Sequence, residues 1–229
     1  MLSRLFRSTG MAVLLAASAA LAVTNANAQA DPQAHILASE ATLSNFLRDP
    51  DMDWLQRNFY RAKAVIIAPE IVKAGFIFGG SGGRVMVVAR DPQSGRWVGP
   101  VFYAMATASV GFQAGISVAE GITLVMTERG FNSLLATSFK IGGDASVAAG
   151  PVGAGARSDI VADLITFNRA KGVYGGLNLD GTVVTASDDW NASFYGKQVL
   201  PPDVLVRMSV QNKAADRLLA QVAAAASKK

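Results

Sequence analysis

At 229 residues, 51% of them hydrophobic, and with a mean hydropathy of +0.29, the chain has material for one substantial domain or two small ones. Cysteine is absent, which excludes disulfides, thiol catalysis, Cys-ligated metal and lipoprotein anchoring. The formal charge of +4 comes from dispersed residues, not from the clustered basic stripe that nucleic-acid binding requires.

The N-terminus has the three-part grammar of a secretory leader. Arg4 and Arg7 precede the uncharged apolar run "MAVLLAASAALAV", and Ala26-Asn27-Ala28 and Ala28-Gln29-Ala30 offer two small-residue cleavage sites. The run is shorter than the roughly 20 residues a membrane span needs. The expectation is a signal peptide over residues 1–28, cleaved after 28 or 30, and a periplasmic or secreted mature protein of net charge +2.

"QAHILASEATLSNFL" (33–47) reads as a helix with Ile36, Leu43 and Leu47 on one face, ended by "RDPDMDW". A short second helix runs through Leu55 and Phe59. From residue 64 the texture becomes strand-like. "AVIIA" is stopped by Pro69, and "GFIF" and "RVMVVAR" flank the glycines of "GGSGG" (79–83), which reads as a turn or a close backbone approach. "DPQSG" is a turn before "RWVGPVFYAMA". In "FQAGISVA", Phe112, Ala114, Ile116 and Val118 alternate with Gln113, Gly115, Ser117 and Ala119, so the first set is expected to face a core. "ITLVMT" is a strand and "ERGFNSLLAT" a short helix. The Gly/Ala-rich "FKIGGDASVAAGPVGAGAR" marks bends or close approaches. "DIVADLITFNR", "GVYGGLNL" and "TVVTA" complete the strands, with Asp180-Gly181 as a tight turn. "SDDWNASFYG" starts a helix capped by Ser187, and "NKAADRLLAQVAAAASKK" is an Ala-rich helix with lysines at its C-terminal end. The expected class is α+β: a mostly antiparallel sheet or barrel-like core with flanking N- and C-terminal helices. The expected organisation is a 33–210 domain followed by a 211–229 helix.

Motif tests remove most catalytic readings. "GGSGG" spells G-x-S-x-G around Ser81, but a nucleophile elbow needs a following helix and a later histidine, whereas a strand pattern follows and the single histidine, His35, precedes it. A Ser81–Lys73 dyad is the formal remainder. No nucleotide loop is present; "GAGARSD" (153–159) carries Ser158 where a third glycine belongs. Asp188 and Asp189 are adjacent, so they do not face one metal and read as first-turn helix acids. The four glutamates Glu40, Glu70, Glu120 and Glu128 leave a carboxylate-pair glycosidase open, although Glu120, before a turn at Gly121, and Glu128, at a helix start, sit in ordinary places. No cofactor and no metal site is expected. Lys73, Arg84 and Lys140 would make an anion patch if the sheet brings them to one side; dispersed, they are solubilising charge. Backbone N–H groups of "GGSGG" beside Arg84 are a second candidate for anion contact.

The blocks "KAGFIFGGSGGRVMVVAR", "GRWVGPVFY", "GFQAGISVAEGITLVMTERGFNSLL", "FKIGGDASVAAGPVGAGA" and "KGVYGGLNLDGTVVTASDDWNASFYG" resemble the SYLF domain, a family of lipid-binding modules, over roughly 35–210. The resemblance implies a β-rich core with packed helices, no cofactor and no catalysis. Eukaryotic members bind phosphoinositides and, in some, actin filaments; basic residues and an amphipathic N-terminal segment carry their membrane contact. The corresponding segment here is 33–63, with Arg48, Arg57, Arg61 and Lys63. For a secreted bacterial chain the implied ligand is anionic phospholipid such as phosphatidylglycerol or cardiolipin, not actin. The candidate lipid contacts are therefore Arg57, Arg61, Lys63, Lys73, Arg84 and Lys140. Alternatives are an envelope protein- or glycan-binding module and, remotely, a hydrolase using Ser81.

Overall fold

Between Ala64 and Val125 the chain is almost continuous strand, and these four strands form the middle of one sheet. The computed structural model describes residues 31–75, 78–110, 115–153, 160–170, 173–174 and 179–228. The expected leader, Phe112 to Ala114 of the alternating strand, residues 154–159 of "GAGARSD" and 175–178 of "GVYGGLNL" lie outside the described residues.

Helix α1 (Pro32–Arg48) opens the fold, followed by a 3-10 turn (Pro50–Met52), α2 (Asp53–Asn58) and a second 3-10 turn (Phe59–Arg61). The strands are β1 (Ala64–Gly75), β2 (Phe78–Arg90), β3 (Trp97–Val110) and β4 (Gly115–Val125), then, after α3 (Glu128–Leu134), β5 (Ser138–Lys140), β6 (Val147–Ala149), β7 (Leu164–Ala170), β8 (Val173–Tyr174) and β9 (Val183–Ala186). Helices α4 (Asp188–Tyr195), α5 (Pro201–Leu205) and α6 (Asp216–Ala226) follow, α6 entered through a 3-10 turn. The sheet runs β5-β9-β3-β2-β1-β4-β7-β6, with β8 added on β7. Every pairing between the described strands is antiparallel except β6 with β7. This is the expected α+β class with a mostly antiparallel core.

Pro69 does not end β1. The strand continues through it because a bulge sets three β1 steps, Ile67 to Glu70, against two on β2, Met86 to Arg84, with the matching shift against β4. A proline lacking its N–H is tolerated in a central strand at such a bulge. "GGSGG" is not a turn either: all five residues lie inside β2. At Gly83 a Cβ would fall 2.3 Å from the Glu70 carbonyl oxygen, so the bulge itself demands glycine there. Asp180-Gly181 is a turn as expected, with Gly181 at φ +80°.

The two edge strands, β5 and β6, are joined by the short segment Ile141–Ser146, so the sheet curls until its edges approach. Its inner face gathers Ile66, Ile71, Val85, Val87, Val101, Tyr103, Met105, Phe139 and Val184 with Val204 and Leu205 of α5. Its outer face packs Val65, Ile67, Met86, Val88, Phe102, Ile122 and Leu124 against Ile36, Leu43 and Phe46 of α1, Leu55 of α2, Trp190 and Phe194 of α4, and Leu218 and Val222 of α6. Each large apolar side chain buried in these layers contributes roughly 1.5–3 kcal/mol. Polar atoms tie the helices down. Asn191 of α4 donates to the Phe102 carbonyl at 3.0 Å and accepts its N–H at 2.9 Å. Glu40 of α1 meets Arg217 of α6 at 3.1 Å. Ser187 precedes α4 but forms no side-chain cap; its hydroxyl accepts a hydrogen bond from Arg84 instead.

Candidate functional site

The helices cover only part of the outer face. Past Arg84, the four long strands continue without them. In a sheet, residues paired in register share a face, and faces alternate along each strand. Ile71, Met105 and Ala119 point inward, so Lys73, Thr107 and Ser117 do too, and Ser81 joins them through its pairing with Lys73 and Thr107. The residues between them point outward: Val72 and Ala74 on β1, Gly80 and Gly82 on β2, Ala106 and Ala108 on β3, Ile116 and Val118 on β4. Ile116 is 73% exposed and Val118 41%, while Ala74, Ala106 and Ala108 are also exposed. This corrects the expectation that the Ile116 and Val118 face meets a core: the outer layer of helices stops short of it. The result is a panel of eight uncharged residues, two on each of four strands, with a polar reverse side.

Charge stands at its margins. Lys140 pairs with Val183, and Val183 with Ala106, so the exposed Lys140 lies in the row of the panel, beside the 44%-exposed Val183. Arg84 marks the border with the helices. Its guanidinium lies 4.2 Å over the Trp190 ring and donates to Ser187. Desolvation by burial lowers its pKa below the ordinary arginine value, against the nearby Asp189 carboxylate, which raises it.

The six predicted basic residues are not gathered into one patch. Lys63, directly before β1, and Lys73 within it are ten residues apart, roughly 30 Å. At the Lys63 end, Arg57 is ion-paired with Asp53 at 3.0 Å, Arg61 donates to Asn58 at 2.9 Å and Lys63 meets Glu128 at 2.5 Å. Arg61 and Lys63 line a cleft of about 260 Å³ with Arg90, Asp91, Glu128 and Phe131. Asp91 there is held below its ordinary pKa by the Ser94 hydroxyl and by the N–H groups of Gln93 and Ser94. At the other end Lys73 lies on the inner face, opposite in direction to Arg84 and Lys140, so those three share an end of the sheet but not a side.

The N-terminal segment departs most from expectation. Its apolar face is the core: Ile36, Leu43 and Phe46 are at most 2% exposed. That face cannot meet a bilayer without leaving the outer layer. The catalytic readings fare similarly. Ser81 is mid-strand on the inner face, whereas His35 packs on the outer side, edge-on to Trp190 and Phe102 at 5.5 and 6.2 Å. Glu120 is not at a turn but inside β4, bonded to Arg169 and to Thr42. Asp188 and Asp189 open α4. Sequence reasoning missed the panel itself and Arg90. The available signal was that β1 to β4 all carry small or apolar residues at alternate positions near one end.

The family described as "Las17-binding protein actin regulator", Ysc84, matches residues 106–225. Among similar curated proteins, LAS seventeen-binding protein 3 of Saccharomyces cerevisiae is 33% identical over 143 residues, 59% of this chain and 31% of the relative. Protein YSC84 of the same organism is 30% identical over 166 residues, 69% of this chain and 35% of the relative. SH3 domain-containing YSC84-like protein 1 of Homo sapiens is 28% identical over 150 residues, 63% of this chain and 43% of the relative. The chain thus spans well under half the length of these relatives. With more than half of its own residues inside the family match, the protein belongs to the Ysc84, or SYLF-domain, family.

Proposed function

We propose that this chain is a non-enzymatic membrane-surface-binding module of the bacterial periplasm that recognises anionic phospholipid. The observation that carries this reading is the uncovered panel of Val72, Ala74, Ala106, Ala108, Ile116 and Val118, bordered by Lys140 and, towards the helices, by Arg84 and Glu70, and continuous with the part of the outer face that the helices bury. An exposed apolar patch rimmed by charge marks an interaction surface. Strand ends with apolar residues outward and polar residues inward follow the pattern of sheets that meet lipid. The family's description speaks of Las17 binding and actin regulation, and one relative's name of LAS seventeen binding; the leader-like N-terminus is the reason lipid is placed before those partners here.

Flotation with neutral phosphatidylcholine vesicles and with vesicles containing phosphatidylglycerol tests this. Retention on the anionic vesicles, weaker at high salt through screening, is expected. Ile116→Asp with Val118→Asp is expected to cut retention about tenfold or more, the effect of removing two apolar side chains from the contact. Failure to bind any bilayer overturns the reading.

A further inference from the structure

We propose that Lys73, Ser81 and Ser117 form a phosphate-recognition site on the inner face of the same sheet end, taking a phosphate mono- or diester. Lys73 is the centre of a three-strand row, with Ser81 of β2 directly opposite on one side and Ser117 of β4 directly opposite on the other. Directly paired side chains have Cβ atoms about 4.5–5.5 Å apart, so a hydroxyl flanks Lys73 on each side, the two serines lying about 10 Å apart across it, and the long Lys73 side chain can bring its ammonium to a phosphate held by either. All three are half-buried. The Lys73 ammonium makes no hydrogen bond or ion pair with any described residue.

The described neighbours of the row are small and carry no anion on its face. One row further out, Gly75 pairs with Gly79 and with Gly115, so these three positions place no side chain over the site. One row deeper, Ile71 pairs with Gly83 and Ala119, giving a floor that is apolar and shallow. Beside Ser81 stands Thr107, whose hydroxyl is engaged with Thr182 at 2.6 Å. The acids of these strands, Glu70 and Glu120, point to the outer face, and Glu120 is engaged by Arg169 and Thr42. An ammonium with three donors and two hydroxyl donors suits the tetrahedral oxygens of phosphate, which only accept. The glycines of "GGSGG" thus divide their work: Gly83 admits the bulge and Gly79 keeps the site open, while Ser81 supplies a donor.

The lipid source of the phosphate rests on the membrane reading above; the site itself does not. Two arms separate the sources. In the first, vesicle flotation with and without phosphatidylglycerol is repeated on Lys73→Gln and on the double variant Ser81→Ala with Ser117→Ala. Each is expected to lose the preference for anionic vesicles by about fivefold while binding to neutral vesicles is unchanged. In the second, inorganic phosphate and glycerol phosphate are titrated without lipid while backbone amide resonances are followed. Shifts at residues 73, 81 and 117 that vanish in Lys73→Gln are expected. Shifts with free phosphate but no vesicle binding would keep the site and overturn the membrane reading. An anionic-vesicle preference untouched by both variants, with no phosphate-induced shifts, overturns the site and leaves the membrane reading standing. The double variant serves if Lys73→Gln does not fold.

Discussion

His35 is the single histidine of the chain, and its place explains a pH response that its sequence position does not suggest. The ring is wedged against Trp190 and Phe102, and its Nε2 is buried with no hydrogen-bond partner among the described residues. Burial, and secondly the charge of Arg84, lower its pKa from 6.5 to about 4. The folded protein therefore holds a neutral imidazole where the unfolded chain binds a proton. Between those two values the unfolded state takes up more protons, so stability falls as pH drops from 6.5 towards 4, by up to roughly 3 kcal/mol. Urea unfolding at pH 7, 5 and 4 is expected to show this loss, and His35→Phe to flatten it across that window. The depressed carboxyl of Asp163, held down first by the Thr127 hydroxyl, acts in the same direction but at lower pH, as acid titrates it below its ordinary 3.8. A slope that survives in His35→Phe would place the proton elsewhere.

Among the elements, α4 is the one that sets where the outer layer ends. It begins at Asp188, directly after the Ser187 hydroxyl that receives Arg84, and it buries Trp190 and Phe194 on Phe102 of β3. Asn191 pins it by bonding both the N–H and the carbonyl of Phe102, acting as a neighbouring strand would. Asn191→Leu leaves the buried Phe102 N–H without its partner, while the Phe102 carbonyl keeps the Ser187 N–H at 2.9 Å. The expected cost is about 2 kcal/mol, read from denaturant midpoints. A loss below about 0.5 kcal/mol would mean that apolar packing alone seats the helix. Directly beyond α4 the outer face of β2 and β3 carries Gly80, Gly82, Ala106 and Ala108, which offer a helix little to grip.

For the whole molecule, the consequence is a division between a root and a free end. The root carries both apolar layers, the Lys63–Glu128 pair and the Arg169–Glu120 contact; the free end carries the panel, Lys140 on its margin and Lys73 inside. No described helix is long and apolar enough to cross a membrane. Peripheral contact at the free end would leave the root unchanged. The leader belongs to this scale too. If residues 1–28 direct export, expression in a bacterial host is expected to yield protein in the periplasmic fraction, with an intact mass matching cleavage after Ala28 or Ala30. Uncleaved protein in the cytoplasm would remove both the compartment and the reason for placing bacterial phospholipid first.

Much of this architecture could be read from residue order alone. Period-3.6 spacing of Ile36 and Leu43, alternation through "GISVA", the Asp180-Gly181 turn and the Ala-rich last helix are local patterns, and local patterns report local dihedral preferences. Pro69 and "GGSGG" misled because a bulge and its glycine partner are cross-strand facts: what makes Gly83 necessary is the carbonyl of Glu70, thirteen positions earlier. The basic residues misled for a related reason, since a strand inverts the direction of each successive side chain and separates Lys73 from Arg84 and Lys140 by a face. Alternation stated that Ile116 and Val118 share a side with each other, and that much was determined by sequence. Whether that side is covered depends on where α1 and α4 stop, which is decided by packing between segments far apart in the chain. Tertiary structure therefore turned an ordinary core strand into an exposed apolar panel, and set Lys73 between two serines that local sequence keeps apart.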